Sequence, residues 1–336
     1  MLKNFINKRV YIIFIFPFIL GSLSVFSFQP FNFTYINFLI FPLLFLITTY
    51  VQKKSKSTYR KKPYLINIFF IGYLFGIGFF LSGTHWISNS LSFDENFKYI
   101  IPFSIISLPL ILGLFFGLAN LLAGPFIKNN FVSILFFSAS FAFFDFLRSK
   151  ILTGFPWNLW AYSLSWSTEI LQILNYVGLF AFNLMVITFF TLPVILFYKI
   201  GAVKKTLVFL FSGILILGLH IYGSYEINKN NSFLQTVDNK INVKIISPNF
   251  ELEYGLSMDQ IKKKLKKVIR YSNPDNTKKT LFIWPEGVFS GYNYNEILVF
   301  KELIKKNFSK EHFIIFGINK LNVNTGLFYN SLILYV

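Results

Sequence analysis

The sequence predicts a multi-pass α-helical membrane bundle of about seven spans, followed by an α/β domain. Three observations lead to this prediction. Of the 336 residues, 54% are hydrophobic and only 14% are charged, which is too apolar for one soluble domain of ordinary composition. Windows of about 17 to 25 apolar residues, the length that crosses a bilayer, can be placed seven times before Ser224. Ten of the 14 acidic residues follow Ser224, so the composition changes there.

These observations predict a transmembrane helical domain over residues 1–223 and a second domain over residues 224–336. The polar stretch NKNNSFLQTVDNK, which begins at Asn228, is predicted to link them. The predicted spans are residues 10–28, 35–51, 64–88, 100–125, 131–147, 176–198 and 205–223.

The distribution of Lys and Arg predicts the orientation of the spans, because cytoplasmic loops retain positive charge. With a cytoplasmic N-terminus, 13 of the 16 basic residues in the first 223 positions lie inside. Seven crossings then place the residues after about 224 in the periplasm, and the expected location is the bacterial inner (cytoplasmic) membrane. Because the basic residues cluster beside apolar spans, no nucleic-acid partner is expected.

Few polar residues interrupt the membrane domain. Asp145 and Arg148 are three residues apart on one predicted helix and can form an ion pair, for which a structural role is favoured over substrate binding. His85 and His220 are interpreted as interfacial or hydrogen-bonded residues, because neither has a second ligand at metal-binding spacing. No metal site and no cofactor are therefore expected.

The segment LTGFPWNLWAYS, residues 152–163, differs from the apolar spans around it. Gly154 and Pro156 break helical structure, and aromatic residues line a loop that is predicted at the outer interface. Two interpretations remain open: an aromatic belt at the outer membrane interface, or a loop that admits lipid.

The second half predicts a layered α/β domain. A strand over residues 241–247 is followed by a helix, SMDQIKKKLKKVIRYS, with Ser257 and Gln260 as its capping box. A second strand covers TLFIWPE, a helix covers about residues 296–308, and the strands HFIIFGIN and TGLFYNSLILYV follow. The lysine run of the first helix is most simply a solvated face; attraction to anionic lipid headgroups is the alternative.

The second strand delivers a carboxylate to a distinctive position. Residues 281–284 are expected to be buried in the sheet, and Pro285 ends the strand because it has no N–H. Glu286 follows at the carboxyl end, where ligand sites form in layered α/β domains. A carboxylate among apolar neighbours suits a general base, while an ordinary turn carboxylate is the alternative.

Five segments of the chain occur in an order typical of one protein family: FSFQPFNF, GFFLSGTHWISNSL, FDFLRSKILTGFPWNLWAYS, VGLFAFNLMV and TLFIWPEGVF. The combination of LRxxxLTGFPW with a later WPE is specific, whereas WPE alone would be weak. Over nearly its whole length the chain resembles the bacterial apolipoprotein N-acyltransferases. This resemblance implies that the second domain is the N-terminal portion of a periplasmic nitrilase-like (CN-hydrolase) domain, an αββα sandwich.

The resemblance also implies an activity. Such enzymes transfer a fatty acyl chain from a phospholipid to the α-amino group of the N-terminal S-diacylglyceryl cysteine of bacterial lipoproteins, through a thioester on an enzyme cysteine. The implied partners are a phospholipid acyl donor, a diacylglyceryl-modified lipoprotein acceptor and membrane lipids, without a cofactor. Of the family's Glu, Lys and Cys triad only the Glu has a matching position, Glu286, with an expected role as general base.

The sequence departs from the family pattern in two places. The family's catalytic Lys and Cys and its final transmembrane helix come after the segment that corresponds to the last strand here, and this chain contains no cysteine. We expect a fragment of a longer enzyme rather than a natural truncation, and we expect these 336 residues alone to be inactive. Leu256 stands where the family has Trp, which leaves a substrate-loop role for that segment open.

Other functional classes remain open beside the acyltransferase. A membrane-tethered amidase or nitrilase would use the same WPE strand, although a simple anchor needs one span rather than seven. The other class is a non-catalytic protein: a truncated pseudoenzyme, a transporter or a binding protein. Acyl transfer to a diacylated lipopeptide separates the first class from the acyltransferase.

Overall fold

The computed structural model describes residues 10–56, 63–93, 95–151, 154–236, 241–250, 255–289 and 291–335. The chain divides into two compact units, Met1–Phe233 and Leu234–Val336. The longer helices of the first unit are α1 (Phe16–Ser24), α2 (Asn37–Lys56), α3 (Pro63–Thr84), α4 (Ile101–Ala123), α5 (Phe131–Arg148), α6 (Leu174–Thr191) and α7 (Ala202–Thr236).

Six helical segments in the described part of the chain are long and apolar enough to cross a membrane. They correspond to six of the seven predicted spans. The first predicted span is a shorter apolar segment, Tyr11–Ser27, in which a π-helical turn precedes α1 and a 3-10 turn follows it. The predicted helical bundle is therefore confirmed, and the chain is an integral membrane protein.

Trp160 lies at the centre of the bundle and is fully buried. The centroid of its indole is 4.7 Å from the ring centroids of both Phe41 and Phe79, which belong to α2 and α3. Phe28 and Phe75 also contact it, at 5.9 and 6.2 Å. Aromatic pairs of this kind stabilise a core beyond the effect of apolar burial alone. Through these contacts Trp160 anchors the loop after α5 in the core.

Glycine residues allow helices of the bundle to approach one another closely. A Cβ added to Gly21 of α1 would lie 1.9 Å from the carbonyl oxygen of Phe75 on α3. A Cβ added to Gly72 of α3 would lie 2.3 Å from the carbonyl oxygen of Phe116 on α4. Only glycine fits such backbone contacts, which are typical of helix packing in membranes.

A buried polar network joins α5, α6 and the loop between them. The Arg148 guanidinium donates to the Asp145 carboxylate at 2.9 Å, and the Asn183 amide donates to the other carboxylate oxygen at 2.9 Å. Arg148 also donates to the carbonyl oxygens of Phe155 and Trp157, at 2.7 and 2.8 Å. The predicted structural pair is thus present, and its arginine also fixes the course of the following loop.

The last helix of the bundle, α7, is the least packed. Only 11% of its most apolar stretch is buried inside the structure. For the other five candidate spans in the described residues, the buried share is 39% to 56%. In the second half of α7, a Cβ added to Gly223 would lie 1.9 Å from the Glu169 carbonyl oxygen, so this glycine permits a close backbone contact. The polar stretch after Asn228, predicted as a linker, is helical as far as Thr236.

The second unit is built on a four-stranded sheet in the order β1-β2-β3-β4. Its strands are β1 (Asn242–Ile245), β2 (Thr280–Ile283), β3 (His312–Leu321) and β4 (Phe328–Tyr335). The first three strands are parallel, and β4 is antiparallel to β3. Two helices, α8 (Met258–Ser272) and α9 (Lys301–Asn307), complete the predicted α/β order.

One face of this sheet carries the core. Phe282 and Trp284 are buried with Ile314, against apolar residues of α8 and α9. Leu281 and Ile283 point to the other face and are only half-buried. The prediction that all of residues 281–284 are buried was therefore wrong, because side chains alternate along a strand and the described helices cover one face.

The helix predicted over about residues 296–308 is divided into three short pieces. A helical turn, Tyr294–Ile297, leads into the 3-10 turn Leu298–Phe300, and α9 follows. Ile297, Phe300 and Ile304 are all buried. Each of the three pieces therefore contributes one apolar side chain to the core.

A hydrogen-bonded link fixes α8 to the sheet. The indole N–H of Trp284 donates to the Ser272 hydroxyl at 3.0 Å, and that hydroxyl donates to the Val268 carbonyl at 2.9 Å. The Lys244 ammonium of β1 donates to the carbonyls of Ser272 and Asn273, at 3.1 and 2.8 Å, and so caps the C-terminal end of α8. At the other end, the predicted capping box of α8 is confirmed.

The turn before β2 is also held by specific hydrogen bonds. The Asp275 carboxylate accepts from the hydroxyl and the backbone N–H of Thr277, at 2.6 and 3.0 Å, and lies 3.4 Å from the Lys278 ammonium. These hydrogen bonds, with the Thr277 hydroxyl first, lower the pKa of Asp275 to about 2. His312, the first residue of β3, connects its Nε2 to the Asp275 carbonyl at 3.0 Å.

The buried pair gives a prediction for the stability of the bundle. Arg148→Met leaves the Asp145 carboxylate buried without its cation, and we expect a loss of about 3–5 kcal/mol. The exposed Lys150→Met, two residues away, is the control and should cost less than about 0.5 kcal/mol. The measurement is thermal unfolding in detergent. An Arg148→Met variant as stable as the parent chain would show that the pair is not a determinant of stability.

The link between Trp284 and Ser272 predicts energetic coupling in the second unit. Trp284→Phe and Ser272→Ala each remove one partner of the same buried hydrogen bond, so the double variant should lose about 1 kcal/mol less than the sum of the single losses. The readout is proteolytic cleavage of the second unit in increasing urea, within the full chain. Strict additivity would contradict the coupling.

Candidate active site

Glu286 lies where the buried strand β2 leaves the sheet. The Trp284 N–H still donates to the Ile315 carbonyl of β3 at 2.8 Å, so sheet pairing continues one residue past β2. Pro285 has no N–H to continue it, and Glu286 begins a 3-10 turn that ends at Phe289. The backbone of Glu286 thus follows the carboxyl end of the strand as predicted; the position of its carboxylate lies outside the described residues.

The chain returns to the sheet soon after Glu286. Asn293 forms an isolated parallel bridge with Asn319 of β3. The two paired positions are Trp284 with Ile315 and Asn293 with Asn319. Between them, β3 contains only residues 316–318, whereas the segment that follows β2 contains residues 285–292. Glu286 therefore stands near the start of a short loop whose two ends are both paired with β3.

Buried and capped residues hold this loop in place. Val288 and Phe289 are buried, and the Phe289 ring lies 5.2 Å from that of Phe316 on β3. Asn293 caps the next helical turn, and the Glu296 carboxylate accepts from the Asn293 N–H at 2.7 Å. This second capping box is visible in the sequence as an Asn followed three residues later by a Glu, and it was not among the predicted features.

The loop is also tied to the segment that follows β1. The Tyr292 hydroxyl donates to the Leu256 carbonyl at 2.6 Å. Leu256 itself is buried in the core of the unit, so in this fold it acts as a packing residue. Because β1 and β2 are parallel neighbours, the segments after Ile246 and after Trp284 leave the sheet at the same edge, where Glu286 lies.

The chemistry of this edge is that of a carboxylate at a strand end. A glutamate there can take a proton from a nucleophile or an amine that is brought to the same edge. Within the described residues, no group of three or more His, Cys, Asp or Glu side chains could hold a metal ion. His85 is exposed, with its Nδ1 3.1 Å from the Ser82 carbonyl oxygen, and His220 is exposed on α7.

The aromatic segment 152–163 is divided between core and surface, and its first two residues lie outside the described chain. Trp157 is half exposed and lies 5.3 Å from Trp86, as measured between ring centroids. Trp160, by contrast, is fully buried, so it does not belong to an exposed belt or loop surface. Hydrogen bonds to two side chains hold the segment against the bundle. Arg148 donates to its backbone carbonyls, and the Asn183 side-chain oxygen accepts from the Ala161 N–H at 3.0 Å.

Comparison with known proteins connects these features to one family. The family model described as the apolipoprotein N-acyltransferase N-terminal domain matches residues 20–192. This match covers α2 to α6, the network around Arg148 and the segment around Trp160.

Individual relatives extend the match into the second unit. The apolipoprotein N-acyltransferase of Rickettsia prowazekii is 33% identical over 273 residues, which is 80% of this chain and 50% of the relative. That of Allorhizobium ampelinum is 28% identical over 273 residues, 79% of this chain and 50% of the relative. That of Rickettsia typhi is 34% identical over 236 residues, 69% of this chain and 43% of the relative.

The chain thus spans about half the length of these curated relatives. The family model matches more than half of the chain, and the matched residues include α2 to α6 of the bundle and its buried polar network. The chain belongs to the apolipoprotein N-acyltransferase family.

Proposed function

We propose that this chain provides the membrane unit and the general base of an enzyme that N-acylates bacterial lipoproteins. The observation that carries the proposal is the placement of Glu286 at the carboxyl end of a buried strand, in a chain that belongs to the apolipoprotein N-acyltransferase family. The acyl donor is a phospholipid, and the acceptor is the α-amino group of an N-terminal S-diacylglyceryl cysteine.

In the proposed first step, the Glu286 carboxylate takes the proton of a thiol while the sulfur attacks the carbonyl carbon of a phospholipid ester. The ester C–O bond breaks, and the released lysophospholipid oxygen takes the proton back from Glu286. The acyl chain is then held as a thioester. Because the sequence contains no cysteine, this thiol has to come from outside these 336 residues.

In the second step, the lipoprotein amine attacks the thioester carbonyl carbon. Glu286 takes a proton from the amine, the C–S bond breaks, and the thiolate leaves to regain a proton. One carboxylate thus serves both half-reactions, because each begins with loss of a proton by the attacking atom. No cofactor takes part in either step.

The membrane unit supports lipid substrates. Both proposed substrates carry acyl chains, and α7 exposes large apolar side chains along most of its length, including Leu210, Phe211 and Ile214. A soluble amide substrate, as in the amidase alternative, would not need a bundle with six helices of membrane-spanning length among its described residues. The number of membrane-spanning helices and the exposed apolar surface of α7 thus favour acyl transfer between lipids over hydrolysis of a soluble amide.

The proposed location is the bacterial inner membrane, with a cytoplasmic N-terminus and with the residues after about 224 in the periplasm. The support is the positive-inside rule, since 13 of the 16 basic residues before Ser224 then lie on the cytoplasmic side. This orientation puts Glu286 on the side of the membrane where the lipoprotein N-terminus is expected.

The role of Glu286 predicts a large loss of activity on substitution. The assay follows acyl transfer from labelled phosphatidylethanolamine to a diacylated lipopeptide, with the protein translated through whatever open frame follows codon 336. Glu286→Gln should lower the rate about 100-fold to 10,000-fold, because Gln cannot accept the proton. The control is Glu296→Gln. Glutamine can replace glutamate in the capping box with Asn293, so this variant should retain activity.

Two outcomes would contradict this function. Full activity of the Glu286→Gln protein would remove the proposed base. Amide hydrolysis without acyl transfer by the parent protein would favour the tethered amidase, and a chain with no activity even when translated through the following frame would favour the pseudoenzyme.

The orientation is tested by labelling, which is simple in a chain without native cysteine. Asn129→Cys lies between α4 and α5, and Asn324→Cys lies in the exposed turn between β3 and β4. A membrane-impermeant maleimide applied to spheroplasts should label only the Asn324→Cys chain; the Asn129→Cys chain should react after the membrane is opened. The reverse pattern would invert the proposed topology.

A further inference from the structure

Helix α8 of the second unit carries a continuous basic surface. Apolar residues on its inner face, including Ile261, Leu265 and Val268, are fully buried and fix its orientation. The outer side carries six basic residues against one acid, Asp259. We call these six residues the α8 basic surface: Lys262, Lys263, Lys264, Lys266, Lys267 and Arg270.

The spacing of these residues concentrates the charge. Lys262, Lys266 and Arg270 follow one another at intervals of four and form a row along the helix, beside a second row of Lys263 and Lys267. Like charges at this spacing repel one another, so the rows are unfavourable for the isolated helix. A negatively charged partner would remove that cost.

Aromatic rings lie at the edge of the same surface. The ammonium groups of Lys264 and Lys267 are each 5.3 Å from the centroid of the Phe250 ring. Lys267 and Arg270 also lie over Tyr271, whose side chain is 52% exposed. A polar-tipped aromatic ring beside basic side chains is typical of surfaces that meet the headgroup region of a bilayer.

One row of this surface is without acidic partners among the described residues. In the described part of the chain, no acidic group lies within ion-pair distance of Lys262, Lys266 or Arg270. On α9, by contrast, Lys305 has Glu302 as an ion-pair partner at 3.8 Å. Both helices are basic, but in the described residues the row on α8 has no acidic side chain comparable to Glu302 beside it.

We propose that the α8 basic surface docks on anionic phospholipid headgroups of the bilayer that holds the chain. Positive charge complements the phosphates, and Tyr271 supplies an interfacial side chain. The chain is tethered to a bilayer, because in sequence only residues 237–240 separate the end of α7, a helix of membrane-spanning length, from Ile241. This inference rests on the surface alone and does not depend on the proposed acyl transfer.

The test measures whether α8 approaches the bilayer when anionic lipid is present. Met258→Cys, at the start of α8 and 36% exposed, provides the only thiol within these 336 residues and carries a nitroxide label. The chain is placed in nanodiscs of phosphatidylcholine alone, or of phosphatidylcholine mixed with phosphatidylglycerol. Collision of the label with a water-soluble nickel chelate reports its exposure, and Asn324→Cys is the reference position.

Docking predicts that phosphatidylglycerol lowers the collision rate at Met258→Cys severalfold, that high salt restores it, and that Asn324→Cys changes less. Lys262→Glu, Lys266→Glu and Arg270→Glu together should weaken docking by about 100-fold or more and abolish the change. The matched control reverses Lys301, Lys305 and Lys306 on α9 and should leave the change intact. Circular dichroism and thermal unfolding verify that each variant is folded.

Three results would overturn the proposal. The first is an equal collision rate in the two kinds of nanodisc. The second is loss of the change in the α9 variant as well, which would indicate a nonspecific effect of net charge. The third is shielding by added RNA or an acidic protein in neutral nanodiscs without any response to phosphatidylglycerol, which would identify a different class of partner.

Discussion

Polar groups that are removed from water are stabilised by partners inside the fold, and the positions of loops and helix ends in both units depend on such contacts. In the bundle, a guanidinium with 0% side-chain exposure, that of Arg148, binds a carboxylate and two loop carbonyls. The loop after α5 therefore follows the donor geometry of one side chain. In the second unit, the Trp284 N–H finds the Ser272 hydroxyl, while Lys244 covers the carbonyls at the end of the same helix. The apolar surfaces provide most of the burial, and these few polar contacts decide how loops and helix ends are placed.

The same principle explains how the candidate site is supported. The backbone of β2 is fixed by pairing up to Trp284, and the indole of that residue is fixed by α8. Glu286 follows two residues later, so its backbone is positioned by a sheet and a helix rather than by a free loop. Functional groups carried on such rigid elements keep their geometry better than groups on loops. Tyr292 then connects the far side of the loop to the segment after β1.

Much of the architecture follows from sequence patterns with a simple physical origin. Span length and hydropathy predicted the helices of the bundle, and the Ser257 and Gln260 pair predicted the start of α8. Patterns could not show which aromatic residue of the segment 152–163 is buried: neither interpretation of the segment, as an aromatic belt or as a lipid-admitting loop, places Trp160 in the core, where it lies. That distinction depends on contacts with Phe41 and Phe79, which are more than 80 residues away in sequence. The half-exposure of Ile283 likewise depends on which sheet face the helices cover.

The two anchoring points of the Glu286 loop have a consequence for how the family can diversify. Pairing at Trp284 with Ile315 and at Asn293 with Asn319 holds both ends on one strand, while the residues between them take no part in the sheet register. Between these anchors Val288 and Phe289 are buried in the core, so a change in the length of the loop would have to preserve their packing. Variation that keeps both anchors and this packing would preserve the register of β2 and β3 and the position of the Glu286 backbone after its strand.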